Sequence, residues 1–152
     1  NILSKRFLKD SRIKLNNLGL SKENLESKIY TVARDAGMTS LYKRKLEHFG
    51  YEMENTETIK LTTLDEYCVK NNVDWIDYLK MDVEGHEVDV LNGSDFKLFR
   101  PKIITIEIHV KKTEDILKTK VFKILQKNKY ELISHYYHTC FFKAAEFEIK
   151  TL

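Results

Sequence analysis

The sequence predicts an α/β fold, with helices packed on a mainly parallel sheet that ends in an antiparallel hairpin. From Leu64 onward the predicted elements are helix, strand, helix, strand and helix, which is the alternation typical of such a sheet. The run 102–110 is apolar on both faces, as a fully buried parallel strand is. Two aromatic-rich runs, 130–137 and 139–144, are separated by a short break and predict the closing hairpin.

The stretch 75–93 is the centre of this pattern. Its apolar run, 75–81, predicts a strand, and Gly85 predicts the tight turn that follows the strand. The next residues have the apolar spacing of a short helix, and Gly93 predicts the end of that helix. A strand, a turn and a helix in this order form half of a βαβ unit.

Weaker local signals predict the rest of the fold. Strands are expected over 12–20, 28–36 and 58–61, and helices over 2–9, from Thr39 or Ser40 to Gly50, over 64–71, and from Thr113 to Asn128. Thr63 and Glu66 have the spacing of a capping box for the helix that begins at Leu64. The aromatic residues of the closing hairpin, among them Tyr136 and Tyr137, are expected in the core of the sheet.

Composition limits the classes of function. The 152 residues are 42% hydrophobic and contain one proline and five glycines, so we expect a single domain over 1–152 without an internal linker. Positive and negative residues are interleaved around a net charge of +3, which does not favour nucleic acid as a partner. No apolar run approaches the length of a membrane span. Cys68 and Cys140 have no metal-ligand spacing and are expected to be reduced and buried, as in a cytoplasmic protein.

Asp82 and Glu84 are the first candidate site residues. If the extended conformation persists to Glu84, both carboxylates project to the same side at the carboxyl end of the central strand. Ligands of open parallel sheets bind at this end of the strands. Glu84 has an alternative role as a cap of the following helix, whereas Asp82 has no such local use.

Glu107 and His109 are the second candidate pair, because they end the next predicted strand at the same edge of the sheet. The unperturbed pKa of histidine, ~6.5, suits His109 to act as a general base, although a solvent-facing strand end is an equal alternative. Asp82, Glu107 and His109 could instead hold Mg²⁺ or Mn²⁺, but we expect no metal.

A set of segments, in this order along the chain, resembles the carboxyl-terminal two-thirds of the FkbM-type methyltransferases. They are GMTSL at 37–41, TTLDEY at 62–67, IDYLKMDVEGHE at 76–87, VLNG at 90–93, RP at 100–101 and IEIH at 106–109. The resemblance implies a Rossmann-like class I fold and an S-adenosylmethionine-dependent methyltransferase, commonly one that methylates a hydroxyl of a sugar or natural product. Asp82 would then contact the cofactor, and the partner would be a small-molecule or carbohydrate acceptor.

The sequence departs from the family pattern at its beginning. Such enzymes carry a first strand with an Asp-x-Gly-type loop and a second strand ending in an acid that holds the cofactor ribose, and neither precedes Ile13. We therefore expect an amino-terminally truncated domain that lacks the first βαβα segment, is inactive alone, and leaves the strand at 78–82 with an unpaired edge. The alternatives are a non-catalytic binding module derived from such a domain, and an unrelated α/β enzyme that uses the carboxylates on a metal or a nucleotide-sugar.

Overall fold

A computed structural model describes residues 2–7, 9–32, 39–42, 47 and 53–148. The helices are α1 (Ile2–Phe7), α2 (Leu64–Lys70), α3 (Glu87–Asn92), the 3₁₀ helix Thr113–Lys118, and α4 (Lys120–Lys127). The strands are β1 (Gly19–Leu20), β2 (Leu25–Val32), β3 (Thr39–Ser40), β4 (Met53–Thr62), β5 (Tyr78–Met81), β6 (Ile103–Glu107), β7 (Tyr130–Tyr136) and β8 (Thr139–Ala144).

The strands form two four-stranded sheets, with the orders β1-β4-β2-β3 and β5-β6-β8-β7. Within the described residues, β1 pairs with β4 and β5 with β6 in parallel, and all other pairings are antiparallel. The expectation of a mainly parallel sheet is therefore wrong. The predicted terminal hairpin is confirmed, and it accounts for part of the error, because β8 pairs antiparallel with β6 before β7 is added.

Two predicted elements differ from the structure, one in length and one in type. The expected strand over 12–20 is confined to Gly19–Leu20. Thr39 and Ser40 pair with β2 as a strand instead of beginning a helix, and the Ser40 hydroxyl accepts a hydrogen bond from the Tyr42 backbone N–H at 3.1 Å. Of the expected helix up to Gly50, only residues 39–42 and 47 lie within the described part of the chain.

The helix expected from Thr113 is divided in two. Residues 113–118 form a 3₁₀ helix, and α4 starts afresh after Thr119. The Thr119 hydroxyl accepts a hydrogen bond from the Phe122 N–H at 3.2 Å and donates one to the Ile116 carbonyl at 2.7 Å. This hydroxyl closes the first piece and caps the second, which apolar spacing alone does not reveal.

The cap predicted for α2 is confirmed. The Thr63 hydroxyl accepts a hydrogen bond from the Glu66 N–H at 3.1 Å, and Asn71 is the residue that ends the helix. The Glu66 carboxylate accepts from the Thr62 hydroxyl at 3.3 Å, so only half of a reciprocal capping box is formed.

Thr63→Ala is expected to lower the free energy of unfolding by about 1 kcal/mol, because one N–H at the start of α2 loses its acceptor. Chemical denaturation would measure this change. Thr62→Val is the matched control, since it keeps the β-branched shape and removes only an exposed hydroxyl bond. Equal losses in the two variants would show that the cap does not stabilise α2.

The hydrophobic core lies between the second sheet and the helices α3 and α4. Its most deeply buried side chains are Val90, Leu91, Ile104, Ile106, Ile116, Leu125, Cys140 and Phe142. Cys68 and Cys140 are buried and unpaired, as predicted. Burial raises the pKa of the Cys140 thiol to about 11, so this sulfur is an inert core atom.

Arg100 and Pro101 lie before β6, and hydrogen bonds connect them to the residues that follow α4. The Arg100 guanidinium donates to the carbonyls of Asn128 at 2.8 Å and Lys129 at 3.1 Å. The buried Tyr130 hydroxyl donates to the Pro101 carbonyl at 2.7 Å. These bonds satisfy carbonyls at the helix end and fix the position at which β6 begins.

β5 lies at the edge of the second sheet, and in the described part of the chain its only strand partner is β6. This agrees with the expected unpaired edge. Tyr78 on β5 and Trp75 just before it are 54% and 69% exposed. Among the described helices, none has the length and apolar character needed to cross a membrane.

Candidate active site

A cavity of about 340 Å³ lies between the first sheet and the turn that follows β5. Apolar side chains of β1, β2 and β4 form one part of its lining, namely Leu20, Ile29, Ile59 and Leu61. Asp82, Glu84, His86 and Ser40 form the polar part. The structure thus places the two carboxylates of the first candidate pair on one cavity at the carboxyl end of β5.

Asp82 follows the last residue of β5 and is about half exposed. Its Oδ2 lies 3.0 Å from the Nζ of Lys80, because alternate residues of a strand share a face. This ion pair is not a helix cap, which is the local role that the sequence did not predict for Asp82. An exposed ion pair of this kind contributes at most about 1 kcal/mol, so the Asp82 carboxylate can still serve a ligand.

Glu84 reaches the cavity through a turn and not through an extended strand. Its φ angle is 49° and that of Gly85 is 99°, so the extended conformation has ended before Glu84. The Ser40 hydroxyl donates to the Glu84 carbonyl at 3.3 Å and ties β3 to this turn.

The Glu84 carboxylate is not a helix cap. His86 occupies the cap position of α3, and it is the Glu87 carboxylate that accepts a hydrogen bond from the Gly85 N–H at 2.9 Å. Within the described residues the Glu84 carboxylate has no hydrogen bond or ion pair, so the alternative role as a cap is wrong. Its charge remains free for a ligand of the cavity.

Glu107 and His109 form the second pair, with 3.6 Å between Glu107 Oε2 and His109 Nε2. Met81 pairs with Ile106, so Asp82 and Glu107 leave the sheet side by side. Neither Glu107 nor His109 lines the 340 Å³ cavity. The four predicted residues therefore lie at one edge of the sheet but in two separate pairs.

The geometry does not support the alternative metal site. The described residues include no group of three or more His, Cys, Asp or Glu side chains arranged to hold a metal ion.

His86 is the centre of a hydrogen-bonded network that the sequence did not indicate. Its ring is 8% exposed, with Nε2 lying 3.0 Å from the Ser21 hydroxyl and Nδ1 lying 2.9 Å from the Tyr42 hydroxyl. The Tyr42 hydroxyl donates a hydrogen bond to Asp89 at 2.6 Å, so it accepts one from Nδ1 of His86. The imidazole hydrogen is therefore on Nδ1, and Nε2 accepts a hydrogen bond from Ser21. Ser21 and Tyr42 are far from His86 in sequence, and no motif marks them.

The surroundings of the imidazole favour its neutral form, although the Asp89 carboxylate lies 3.4 Å from Nδ1. Burial lowers the pKa of His86, against the opposing effect of the nearby Asp89 and Glu87 carboxylates. Burial and the hydrogen bond to Asp89 raise the pKa of Tyr42 to about 12. Asp82 and Glu84 are the acidic side chains among the described residues that line the cavity.

His86 is expected to make the fold sensitive to mild acid. Its pKa in the folded state is below the ~6.5 of an unfolded histidine, so the unfolded state binds the additional proton. The free energy of unfolding should be highest above about pH 6.5 and should fall as the pH drops through this value. Urea unfolding between pH 5 and 8 measures the slope. His86→Gln should reduce the dependence of the unfolding free energy on pH. His135→Gln, at an exposed position, is the control and should leave this dependence unchanged. Equal slopes in the two variants would contradict the role of His86.

An α/β domain with carboxylates on a cavity at the end of a parallel strand has the architecture of a ligand-binding enzyme domain. The sequence model of the methyltransferase FkbM domain matches residues 4–132, which is most of the chain. The chain belongs to the FkbM methyltransferase family, and the resemblance found in the sequence is confirmed. No curated protein and no solved structure matches the chain significantly.

Proposed function

We propose that the protein containing these residues acts as an S-adenosylmethionine-dependent O-methyltransferase, with a hydroxyl of a sugar or natural product as the acceptor. Family membership supports methyl transfer as the reaction class. The observation that carries the proposal further is the cavity on which Asp82 and Glu84 lie together. Two carboxylates beside an apolar wall are suited to a ligand that joins a positive charge to a flat ring.

The lining of this cavity fits part of this methyl donor. S-adenosylmethionine would supply an activated methyl group on a positively charged sulfur. Asp82 and Glu84 would face its cationic part, and the apolar side chains of β1, β2 and β4 would contact its purine ring. Asp82 is thus proposed to bind the cofactor as well as to act in catalysis.

The remaining task of the protein is to position the acceptor hydroxyl and to help remove its proton. Asp82 would orient the hydroxyl from the end of β5. His109, in its neutral form, would accept the proton, and Glu107 at 3.6 Å would stabilise the resulting imidazolium. Glu84 would complete the negative side of the site.

A Rossmann-like class I fold is part of this proposal, and a parallel unit in the second sheet supports it. β5, α3 and β6 form a parallel βαβ unit, and the candidate residues follow its two strands. This is the edge at which ligands of such folds bind. The unpaired, buried cysteines are in keeping with a cytoplasmic location.

Methyl transfer should be assayed with protein expressed from the complete open reading frame that contains these residues. Donor labelled in its methyl group is incubated with hydroxyl-bearing sugars and natural products, and mass spectrometry locates the added methyl. Transfer to oxygen that depends on Asp82 would support the proposal. Saturable binding of an acceptor without any transfer would overturn it in favour of a non-catalytic binding module.

A further inference from the structure

A second cavity, of about 230 Å³, lies beside the candidate site on the side away from β5. Its lining consists of Val110, Lys111, Lys112, Thr113, Ile116, His135, Tyr137 and His138. The Ile108 N–H donates to the His138 carbonyl at 2.8 Å, and Glu107 pairs with Thr139 on β8. The cavity therefore opens at the same edge of the second sheet as Glu107 and His109.

Among the described residues, the polar lining of this cavity is made of lysines, imidazoles and hydroxyls and contains no acid. Lys111 has no ion-pair partner among the described residues. Lys112 lies 4.0 Å from Glu114, and both side chains are mostly exposed, so this pair neutralises little charge. His135 Nε2 lies 3.2 Å from the Thr113 hydroxyl. Such a set of donors is suited to an oxyanion.

Ring contacts at tilted angles, 46° between Tyr137 and His138 and 40° between His138 and His109, connect the cavity to the candidate site. The ring centroids of Tyr137 and His138 are 3.9 Å apart, and those of His138 and His109 are 4.5 Å apart. The Nδ1 of His138 is buried and has no hydrogen-bond partner in the described structure.

Tyr137 is held in an unfavourable conformation. Its φ angle is 55°, which is uncommon for a residue other than glycine, and its side chain is 81% exposed. The expectation that Tyr136 and Tyr137 lie in the core of the sheet is therefore wrong. The positive φ angle belongs to the two-residue turn between β7 and β8, and this turn places the exposed ring beside the cavity. The ring offers a flat apolar face of the kind on which a sugar packs.

We propose that this cavity binds an oxyanion of the methyl acceptor, a phosphate or a carboxylate carried on a sugar ring. Strands are ~4.8 Å apart, so the ends of β5 and β8 are separated by about 10 Å. An acceptor held by its anionic group near Lys111 and Lys112 would thus present a hydroxyl towards Asp82 and His109. The assignment of this ligand as the acceptor rests on the proposed function, but binding of the oxyanion does not.

Calorimetry without methyl donor tests this inference on the same complete protein. The probes are inorganic phosphate, glucose 1-phosphate, glucuronate and neutral glucose. We expect saturable binding of glucose 1-phosphate or glucuronate, which distinguishes phosphate from carboxylate, and no binding of glucose. The double substitution of Lys111→Gln and Lys112→Gln should weaken binding of the anion about tenfold or more. The control is the double substitution of Lys120→Gln and Lys123→Gln, which removes the same charge from α4. It should not weaken binding of the anion.

Tyr137→Gly adds a second readout. It removes the ring and relieves the φ angle of 55°, so the fold should be retained or stabilised while the advantage of glucose 1-phosphate over inorganic phosphate is lost. Absence of binding by every anion, or equal weakening by the two pairs of lysine substitutions, would overturn the inference. Anion binding without methyl transfer would overturn only the proposed function, and transfer to neutral acceptors alone would overturn only the inference.

Discussion

Asp82→Asn is expected to lower methyl transfer by about 10²-fold or more while the protein keeps its fold. The substitution preserves the shape of the side chain and removes its charge, on a residue that lines the cavity at the end of β5. The structural cost should be small, because among the described residues the substitution removes only the half-exposed ion pair with Lys80. A loss of activity would therefore report the chemistry of the site.

The measurement is turnover at saturating donor, with melting curves of each variant. Asp77→Asn is the matched control, since Asp77 precedes β5 at its other end and pairs with Lys102 at 2.5 Å. It should leave turnover unchanged. Glu84→Gln should reduce turnover by less than Asp82→Asn. If Asp82→Asn turns over normally, or loses activity only in proportion to its stability, Asp82 is a structural residue and the site assignment fails.

Features set by neighbouring residues could be predicted from the sequence. The Thr63 cap depends on a hydroxyl and an N–H three residues apart. The strand, turn and helix of 78–92 depend on an apolar run followed by Gly85. The carboxylates reached one cavity because residues that follow a parallel strand collect at one edge of the sheet.

Strand pairing could not be predicted in the same way. Apolar runs show which segments are strands, but the direction of a pairing depends on contacts between distant residues. The insertion of β8 between β6 and β7 makes most of the second sheet antiparallel, although each of its strands was located correctly. The division at Thr119 was missed because the apolar spacing continues across it.

The network around His86 was hidden for the same reason. Ser21 and Tyr42 belong to the segment after β1 and the segment after β3, and only the packing of the first sheet against α3 brings them to the imidazole. The free carboxylate of Glu84 was also hidden, since it depends on a φ angle of 49° that sequence spacing does not specify. Residues that belong to a motif could be predicted from the sequence. Residues that come together only through packing could not.

Gly93→Ala is expected to destabilise the fold by about 3 kcal/mol, a large effect for the addition of one methyl group. The φ angle of Gly93 is −89°, which any residue adopts, so the requirement for glycine comes from close packing. A Cβ at this position would lie 2.1 Å from the Ser21 carbonyl oxygen and 2.7 Å from Lys22 Cα. These are backbone atoms, and they cannot move aside as the end of a side chain can.

The segment at Ser21 is held from two sides, which is why relaxation should be costly. Its N–H donates to the Thr62 carbonyl at 2.8 Å, and its hydroxyl bonds to His86. Thermal unfolding should show a decrease in Tm of about 6–12 °C for Gly93→Ala. Gly19→Ala is the control, because its Cβ would meet only the side chains of Leu61 and Ile59. If the two variants melt together, the contact between the end of α3 and the Ser21 segment is looser than the structure shows, and the position of His86 in the cavity wall loses its support.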